Sequence, residues 1–126
     1  MTGTILVVDD NPMIRRIFER ILEPAGYTVI TAADGETGRT LARDKRPSLI
    51  LLDIKLPGRD GGEMAQELAD ELKTADIPVI FVSGLVSSRD EAELGPGGYP
   101  LIAKPFERAK ILDMVQRRIR AFQTQA

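Results

Sequence analysis

The stretch TILVVDDNP at residues 4–12 combines a strand pattern, two acidic residues and a helix start. Its first five residues are apolar or β-branched, which is typical of a buried strand. Asp9 and Asp10 follow this run directly, and Asn11 offers a side chain that can cap a helix. Pro12 suits the first helical position, where its missing N–H costs nothing. We therefore predict that two carboxylates lie between the end of a strand and the start of a helix.

The same arrangement of an apolar run followed by a polar group recurs at three further places. Asp53 follows LILL, Ser83 follows VIFV, and Lys104 follows LIA. In an open parallel α/β sheet, the carboxyl ends of the strands line one crevice in which ligands bind. We therefore expect three carboxylates, one hydroxyl and one ammonium group to meet at a single edge of the sheet.

Strand and helix patterns alternate along the whole chain. Strand patterns occupy residues 4–8, 28–32, 48–52, 78–82 and about 100–103. Helical patterns follow each of them. The third extends its apolar spacing to Leu72, and the fourth, from Ser87 or Ser88 to Leu94, offers little apolar surface before a glycine-rich loop. The count predicts an α/β protein of the (βα)₅ type, with a parallel sheet between two helical layers. We expect one domain over residues 1–126, with an ordered core from about residue 3 to about residue 122.

The composition excludes several kinds of site. The chain has no cysteine and no histidine, so it has no disulfide, no thiolate metal site, no imidazole base and no phosphohistidine of its own. Its formal charge of −2 gives no sign of general attraction to nucleic acid or membranes. No apolar run approaches the roughly 20 residues of a membrane span, and the first one is too short for a signal peptide. We therefore expect a cytoplasmic protein without direct nucleic-acid or membrane contact.

The three acidic residues predict a site for a hard cation. Two like charges about 4 Å apart repel by roughly 4 kcal/mol at an effective dielectric constant of about 20, and a bound cation removes this repulsion. Oxygen ligands suit Mg²⁺, with Mn²⁺ as an alternative, far better than zinc. Asp53 could then attack phosphorus without a general base, because its carboxylate is already an anion. Lys104 would neutralise the phosphoryl oxygens, and the Ser83 hydroxyl would donate to one of them.

Each of these residues also has an ordinary structural interpretation. The acidic pair could form only a helix-capping turn, Asp53 could be a turn acid, and the serine and lysine could be a turn residue and a surface residue. If all of these interpretations held, four separate strand ends would each carry a group suited to cation and phosphoryl binding by coincidence, so we favour the functional interpretation. Two other functional classes stay open, a Mg²⁺-dependent phosphohydrolase and a flavin-binding module. The first usually needs an acid where this chain has Lys55, and the second would place its phosphate against three acids.

Four motifs together resemble the receiver domain of two-component response regulators. They are VVDDN at residues 7–11, LLDIKLPGRDG at 51–61, PVIFVSG at 78–84 and KPF at 104–106. The resemblance implies a flavodoxin-like three-layer sandwich whose five parallel strands have the order 2-1-3-4-5. It also implies a phosphorelay receiver that takes up a phosphoryl group and changes conformation to control a partner.

The resemblance implies a role for each acidic residue at the site. Asp53 matches the phosphoacceptor, and Asp10 matches a direct Mg²⁺ ligand. Asp9 matches an acid that acts on the metal through water, and the backbone carbonyl of Lys55 matches a further metal ligand. Together with Asp53, these groups form the implied metal site.

Two further residues match groups that contact the phosphoryl group. Ser83 matches a hydroxyl that swings toward it, and Lys104 matches a lysine that pairs with it. The peptide bond between Lys104 and Pro105 matches a cis bond of the family, which is plausible before proline. The implied phosphoryl donor is a phosphohistidine on a histidine kinase or histidine phosphotransfer domain, and an unidentified downstream protein reads the switch. The implied activity is self-phosphorylation with autodephosphorylation, without enzymatic turnover.

The chain departs from the family pattern near the usual output surface. The family often has tyrosine or phenylalanine where this chain has Leu101, and Tyr99 lies two residues earlier on the same strand face. Tyr99 could partly replace that ring, but we favour a role in covering the sheet edge. Because Leu101 replaces the ring and the predicted fourth helix is weak, we hypothesise that signalling depends less on movement of an aromatic ring and more on ordering of residues 84–98. Lys55 could screen the phosphoryl group from water, and a solvent-exposed lysine is an equally good alternative.

Overall fold

The computed structural model describes residues 3–87, 95–104 and 106–125, and for residues 84–87, 104 and 123–125 it describes the backbone alone. The strands of the main sheet are β1 (Thr4–Val8), β2 (Thr28–Ala32), β3 (Leu49–Asp53), β4 (Val79–Ser87) and β5 (Leu101–Lys104). The helices of the described ranges are α1 (Pro12–Leu22), α2 (Gly35–Lys45), α3 (Gly61–Asp70) and α4 (Arg108–Gln125).

The five strands form one parallel sheet in the order β2-β1-β3-β4-β5. This confirms the predicted flavodoxin-like order. The chain starts at the interior strand β1, places β2 on one side of it, and then places β3, β4 and β5 on the other side. The interior strand β1 is buried from Ile5 to Val8, whereas β2 at the edge is half-exposed along most of its length. The sheet interior therefore coincides with the most apolar runs of the sequence.

Two apolar cores lie on the two faces of the sheet. One core contains α1 and α4 residues, with Phe18 and Phe106 in ring contact at 5.4 Å between centroids. The other contains residues of α2 and α3, with Met64 and Leu68 fully buried. Alternate side chains of β1 and β3 enter opposite cores, as the strand period requires. The result is the three-layer sandwich that the sequence predicts.

The end of α3 differs from the prediction. Leu72, which the apolar spacing places on the buried face, is 93% exposed and lies beyond the helix end at Asp70. The buried hydroxyl of Thr74 donates to the carbonyl oxygen of Leu68 at 2.6 Å. This bond satisfies a terminal helix carbonyl, so the chain turns before Leu72 can reach the core.

Two further boundaries differ from the prediction. Strand β4 continues to Ser87, five residues beyond its predicted end, and its pairing with β5 shifts between Ser83 and Ser87. Ser87 therefore does not start a helix, and the remainder of the predicted fourth helix, residues 88–94, lies outside the described residues. Helix α4 extends to Gln125. None of the helices in the described ranges has the length and apolar character needed to cross a membrane.

Candidate functional site

Asp9 lies at the carboxyl end of β1 and is held by the start of α1. Its carboxylate Oδ1 accepts a hydrogen bond from the N–H of Asn11 at 2.9 Å. The Asp9 N–H donates to the carbonyl oxygen of Ala32 at 3.1 Å, and Arg15 donates through Nη1 to the Asp9 carbonyl oxygen at 2.8 Å. Asp9 is only 4% exposed. Its carboxylate is therefore fixed beneath the first turn of the helix, where Asn11 forms the predicted N-cap.

Asp10 and Asp53 complete an acidic cluster with Asp9. Val8 and Leu52 are partners in the parallel pairing of β1 with β3. The residues that follow them, Asp9 and Asp53, therefore lie side by side at the carboxyl ends of the two strands. One carboxylate oxygen from each of the three acids lies within 4.8 Å of the others. Asp9 is buried, Asp53 is half-buried and Asp10 is exposed. The predicted convergence of the three acids is therefore present, and the cluster is open to solvent on one side.

Burial and the neighbouring acids raise the pKa of two members of the cluster. Burial is the largest cause at Asp53, and the charges of Asp9 and Asp10 add to it. The hydrogen bond from the N–H of Lys55 lowers the pKa, but the net effect raises the pKa of Asp53 from 3.8 to about 6. Burial also raises the pKa of Asp9, although the Asn11 N–H opposes this. In both groups the ionised form carries a free-energy cost that a bound cation would offset.

The chemistry of this donor set fits a small hard divalent cation. All three side chains offer carboxylate oxygens, and the chain has no cysteine or histidine. Within the part of the chain whose side chains are described, no ion pair compensates the three carboxylates. Mg²⁺ prefers such oxygen ligands, whereas structural zinc sites are built mainly from cysteine and histidine.

The loop after Asp53 folds into a short antiparallel hairpin, which we call the acceptor hairpin. It pairs Lys55–Leu56 with Arg59–Asp60. The N–H of Lys55 donates to Asp53 Oδ1 at 3.2 Å. The lysine side chain is exposed, which favours the interpretation of Lys55 as a solvent-exposed lysine. The hairpin therefore brings the main chain of Lys55, and not its ammonium group, to the Asp53 carboxylate.

Ser83 and Lys104 lie at the same edge of the sheet as the acids. Asp53 is paired with Val82 across β3 and β4, so Ser83 follows one residue later and is buried at 5% exposure. Lys104 ends β5 and pairs with Ser87, beyond the irregularity in β4. The side chain of Lys104 and the whole of Pro105 are outside the described part of the chain. The predicted ammonium contact and the predicted cis peptide bond therefore stay predictions.

Two residues that build the site were not expected from the sequence. Arg15 binds the main chain of Asp9, as described above, and Gly61 lies against the main chain behind Asp53. The N–H of Gly61 donates to the carbonyl oxygen of Ile54 at 2.7 Å. Neither an arginine inside a helix nor a glycine after Asp60 is unusual enough in a single sequence to indicate these contacts.

Tyr99, which precedes β5, is partly buried against the core that contains α2 and α3 residues. Its ring meets Phe81 edge to face at 5.7 Å between centroids, and the guanidinium carbon of Arg118 lies 5.8 Å from the Tyr99 ring centroid. Tyr99 and Leu101 border the same core, as the strand alternation predicts. The ring contacts an interior strand at Phe81 and the helix α4 at Arg118, and the role that we favoured for it, covering the sheet edge, stays a prediction. The hypothesis about ordering of residues 84–98 includes residues outside the described ranges and stays a prediction.

Comparison with known proteins gives the family context of this arrangement. A family model described as the response regulator receiver domain matches residues 5–116. The polar-differentiation response regulator DivK from Brucella ovis is 32% identical over 117 residues, which cover 92% of this chain and 95% of DivK. The DNA-binding dual master transcriptional regulator RpaA from Synechocystis sp. is 38% identical over 117 residues, which cover 92% of this chain and 48% of RpaA. The chain spans about half the length of several curated relatives that it matches.

A similar fold occurs in a solved structure that holds a metal. The receiver domain of sensor histidine kinase PA1611 from Pseudomonas aeruginosa PAO1 matches with a TM-score of 0.78 and 31% identity. The match covers 94% of this chain and 98% of the PA1611 domain. That structure has a magnesium ion coordinated in its active-site cleft.

Proposed function

The chain belongs to the response regulator receiver family, and from this premise we propose that it accepts a phosphoryl group on Asp53 in a Mg²⁺-dependent reaction. As a receiver domain it is a signalling switch of two-component systems, and the phosphorylated form would change conformation to control a partner protein. The acidic cluster of Asp9, Asp10 and Asp53 within 4.8 Å is the observation that carries this proposal. A half-buried carboxylate with two acidic neighbours costs free energy, which a function at this site would explain.

Four groups would hold the metal. Asp10, Asp53 and the backbone carbonyl of Lys55 would bind Mg²⁺ directly, and Asp9 would act through water. When bound, the cation would neutralise both the carboxylates and the oxygens of an incoming phosphoryl group. Mn²⁺ could use the same oxygen donors. The exposed position of Asp10 and the buried position of Asp9 are consistent with this division.

The transfer itself would use the carboxylate of Asp53 as the nucleophile. One Asp53 oxygen would form a P–O bond while the P–N bond of a phosphohistidine breaks, and the electron pair of that bond would stay on the imidazole nitrogen. The Lys104 ammonium would pair with a phosphoryl oxygen, and the Ser83 hydroxyl would donate to another. No general base is needed at neutral pH, because the pKa of Asp53 is about 6 without metal and the carboxyl is mostly ionised.

Acetyl phosphate with Mg²⁺, followed by measurement of the intact protein mass, tests the acceptor. Wild-type protein should gain one phosphoryl group, and the gain should disappear when EDTA removes the metal. Asp53→Asn should gain none, whereas Asp44→Asn, which changes an exposed acid of α2, should match wild type. Equal labelling of Asp53→Asn and wild type would show that another residue is the acceptor.

We further propose that the domain is a self-phosphorylating switch and not a turnover enzyme. The competing class, a Mg²⁺-dependent phosphohydrolase, usually has an acid two residues after its nucleophile, and here that residue is the exposed Lys55. With a small phosphoester as substrate, the switch should give at most stoichiometric labelling. Continuous product release that scales with time would favour the phosphohydrolase.

The direct partners in this proposal are proteins. The phosphoryl donor would be a histidine kinase or a histidine phosphotransfer domain, and an unidentified downstream protein would read the switch. RpaA is named as DNA-binding, but the match covers 48% of RpaA, so direct nucleic-acid contact by this chain is not proposed. Residues 1–126 would form a single receiver domain in the cytoplasm. Limited proteolysis that leaves one fragment of nearly full length would support the single domain.

A further inference from the structure

We propose that Arg59 is a positioning residue that holds the acceptor hairpin in place for the metal site. The inference rests on the proposed function, because the hairpin carries the Lys55 carbonyl that would bind Mg²⁺. Arg59 lies on the second strand of the hairpin, opposite Leu56. It reaches out of the hairpin to both helices of one layer, α2 and α3.

Arg59 makes two ion pairs from one guanidinium group. Its Nη1 lies 3.4 Å from Glu36 Oε1 on α2, and its Nη2 pairs with Glu67 Oε1 on α3. The side chain of Glu36 is 82% exposed, so its pairing with Arg59 is screened by solvent. The side chain of Glu67 is 39% exposed, so the Arg59–Glu67 pair is the stronger of the two anchors.

The ion pairs continue away from the hairpin between the two helices. Glu67 also pairs with Arg39 at 3.2 Å, and Arg39 pairs with Glu71 at 3.4 Å. Arg43 then pairs with Glu71 at 3.7 Å. The six charges alternate in sign from the hairpin to the far ends of α2 and α3. Such a network restricts each of its four inner side chains through two neighbours, so ordering one pair lowers the entropy cost of the next.

Packing holds the aliphatic part of the Arg59 side chain, in addition to the ion pairs that hold its guanidinium group. Its side chain is only 21% exposed, and its Cδ lies so close to Gly35 that a Cβ on that glycine would approach it to 2.7 Å. A planar guanidinium that bridges two carboxylates needs this kind of fixed stem, and lysine cannot reproduce the geometry. Arg59 is therefore anchored both by apolar contact and by charge.

The hairpin needs such an anchor because its own pairing is short. Each strand has two residues, and a two-stranded hairpin of this size is not stable alone. Lys55 pairs with Asp60, the residue directly after Arg59, and its N–H binds Asp53. Loss of the Arg59 charge should therefore loosen the strand that positions the Lys55 carbonyl.

Hydrogen exchange in metal-free protein tests the anchor without any phosphorylation. Arg59→Met keeps the apolar stem and removes the charge. The amides of Lys55 and Gly61 should then exchange about threefold to tenfold faster, the size expected for losing one coupled contact. The matched control is Arg43→Met, which breaks the far end of the same network and should leave these two amides within about twofold of wild type.

Calorimetric titration with Mg²⁺ provides the second measurement. Because support of a metal ligand is lost, Arg59→Met should bind Mg²⁺ about tenfold more weakly than wild type, and Arg43→Met should bind it as wild type does. Arg59→Lys should restore part of the affinity. Glu36→Gln, which leaves the guanidinium and its pair with Glu67 in place, should weaken binding less than Arg59→Met does.

Three results would overturn the inference about Arg59. They are unchanged exchange in Arg59→Met, equal loosening in Arg43→Met, and unchanged Mg²⁺ affinity despite a loosened hairpin. Neither measurement requires a phosphoryl group, so failure of Asp53 to be labelled would count against the proposed function and leave the test of Arg59 intact.

Discussion

Gly61 lies directly against the main-chain carbonyl group of Asp53. A Cβ atom at position 61 would overlap the Asp53 carbonyl oxygen and would approach the Ile54 carbonyl oxygen to 2.8 Å. The first turn of α3 therefore touches the end of β3 through main chain alone. The main chain of Asp53 therefore packs against a residue that has no side chain, and a side chain at position 61 would displace it.

Gly61→Ala is expected to destabilise the protein by about 1–3 kcal/mol, because the methyl group forces two main-chain segments apart. Urea unfolding measured in the absence of metal gives this free energy. The control is Gly62→Ala in the same helical turn, where the nearest atom would be the Pro96 Cβ at 3.0 Å. Alanine favours a helix by about 1 kcal/mol over glycine, so the control should be close to neutral. Equal stability of the two variants would refute the close contact at Gly61.

Metal-free wild type is expected to become less stable relative to Asp53→Asn as the pH rises from about 4 to about 7. Burial and the neighbouring acids raise the pKa of Asp53 from 3.8 to about 6. The folded protein therefore keeps a proton that the unfolded chain has already released. The stabilisation by this proton is complete below the unfolded pKa and is lost as the pH rises through the folded value.

The size of this effect follows from the shift in pKa. A shift of this size corresponds to at most about 3 kcal/mol, and the partial exposure of the carboxyl reduces the expected difference to about 1–2 kcal/mol. Urea unfolding of both proteins in EDTA across this pH range measures it. An advantage of Asp53→Asn that stays constant with pH would contradict the raised pKa. Saturating Mg²⁺ should reverse the order at neutral pH, because the cation stabilises only the intact acidic cluster.

Local sequence patterns predict most of what places the acids. The apolar run before Asp9, the cap at Asn11 and the proline at position 12 define β1 and the start of α1 without help from the rest of the chain. The parallel pairing of β1 with β3 then brings Asp53 beside Asp9. The apolar runs and the helix cap are local signals, whereas this pairing joins distant segments and follows from the predicted strand order.

Individual side-chain contacts between distant segments could not be predicted in this way. The ion pair of Arg39 with Glu67 joins residues 28 positions apart, and a charged residue on a helix is ordinarily in solvent. The exposure of Leu72 depends on the buried hydroxyl of Thr74, which ends α3 early. The turn of the acceptor hairpin did carry a local signal, since Pro57 precedes Gly58 with φ of +67°, a conformation that glycine adopts without strain.

Lys55→Ala is expected to leave both Mg²⁺ affinity and the rate of dephosphorylation within about twofold of wild type. The side chain of Lys55 is exposed, and the proposed metal ligand is its backbone carbonyl, which alanine retains. An exposed ammonium is strongly screened by solvent, so its loss has little effect on a nearby site. Loss of the labelled mass with time after removal of acetyl phosphate measures the dephosphorylation rate. A severalfold faster loss in Lys55→Ala would support a role in screening the phosphoryl group from water.

The stack of Arg118 with two aromatic rings should couple Tyr99 to α4 energetically. The Arg118 guanidinium carbon lies 5.8 Å from the Tyr99 ring centroid and 4.8 Å from that of Phe122. Burial lowers the pKa of Arg118, so its charge is partly desolvated and cation–π attraction is stronger than at an exposed site. A double-mutant cycle of Tyr99→Leu and Arg118→Met should therefore give a coupling of about 0.5–2 kcal/mol in unfolding free energy.

Arg117→Met supplies the matched control for this cycle. Arg117 is adjacent in sequence but exposed, and its ion pair with Asp113 spans one helical turn at 3.1 Å. Such a pair contributes about 0.3–0.5 kcal/mol, and its loss should be additive with Tyr99→Leu. If the unfolding free energies of Arg118→Met and Tyr99→Leu are also additive, α4 does not restrain the Tyr99 ring. Its contact with Phe81 would then be the one that holds it.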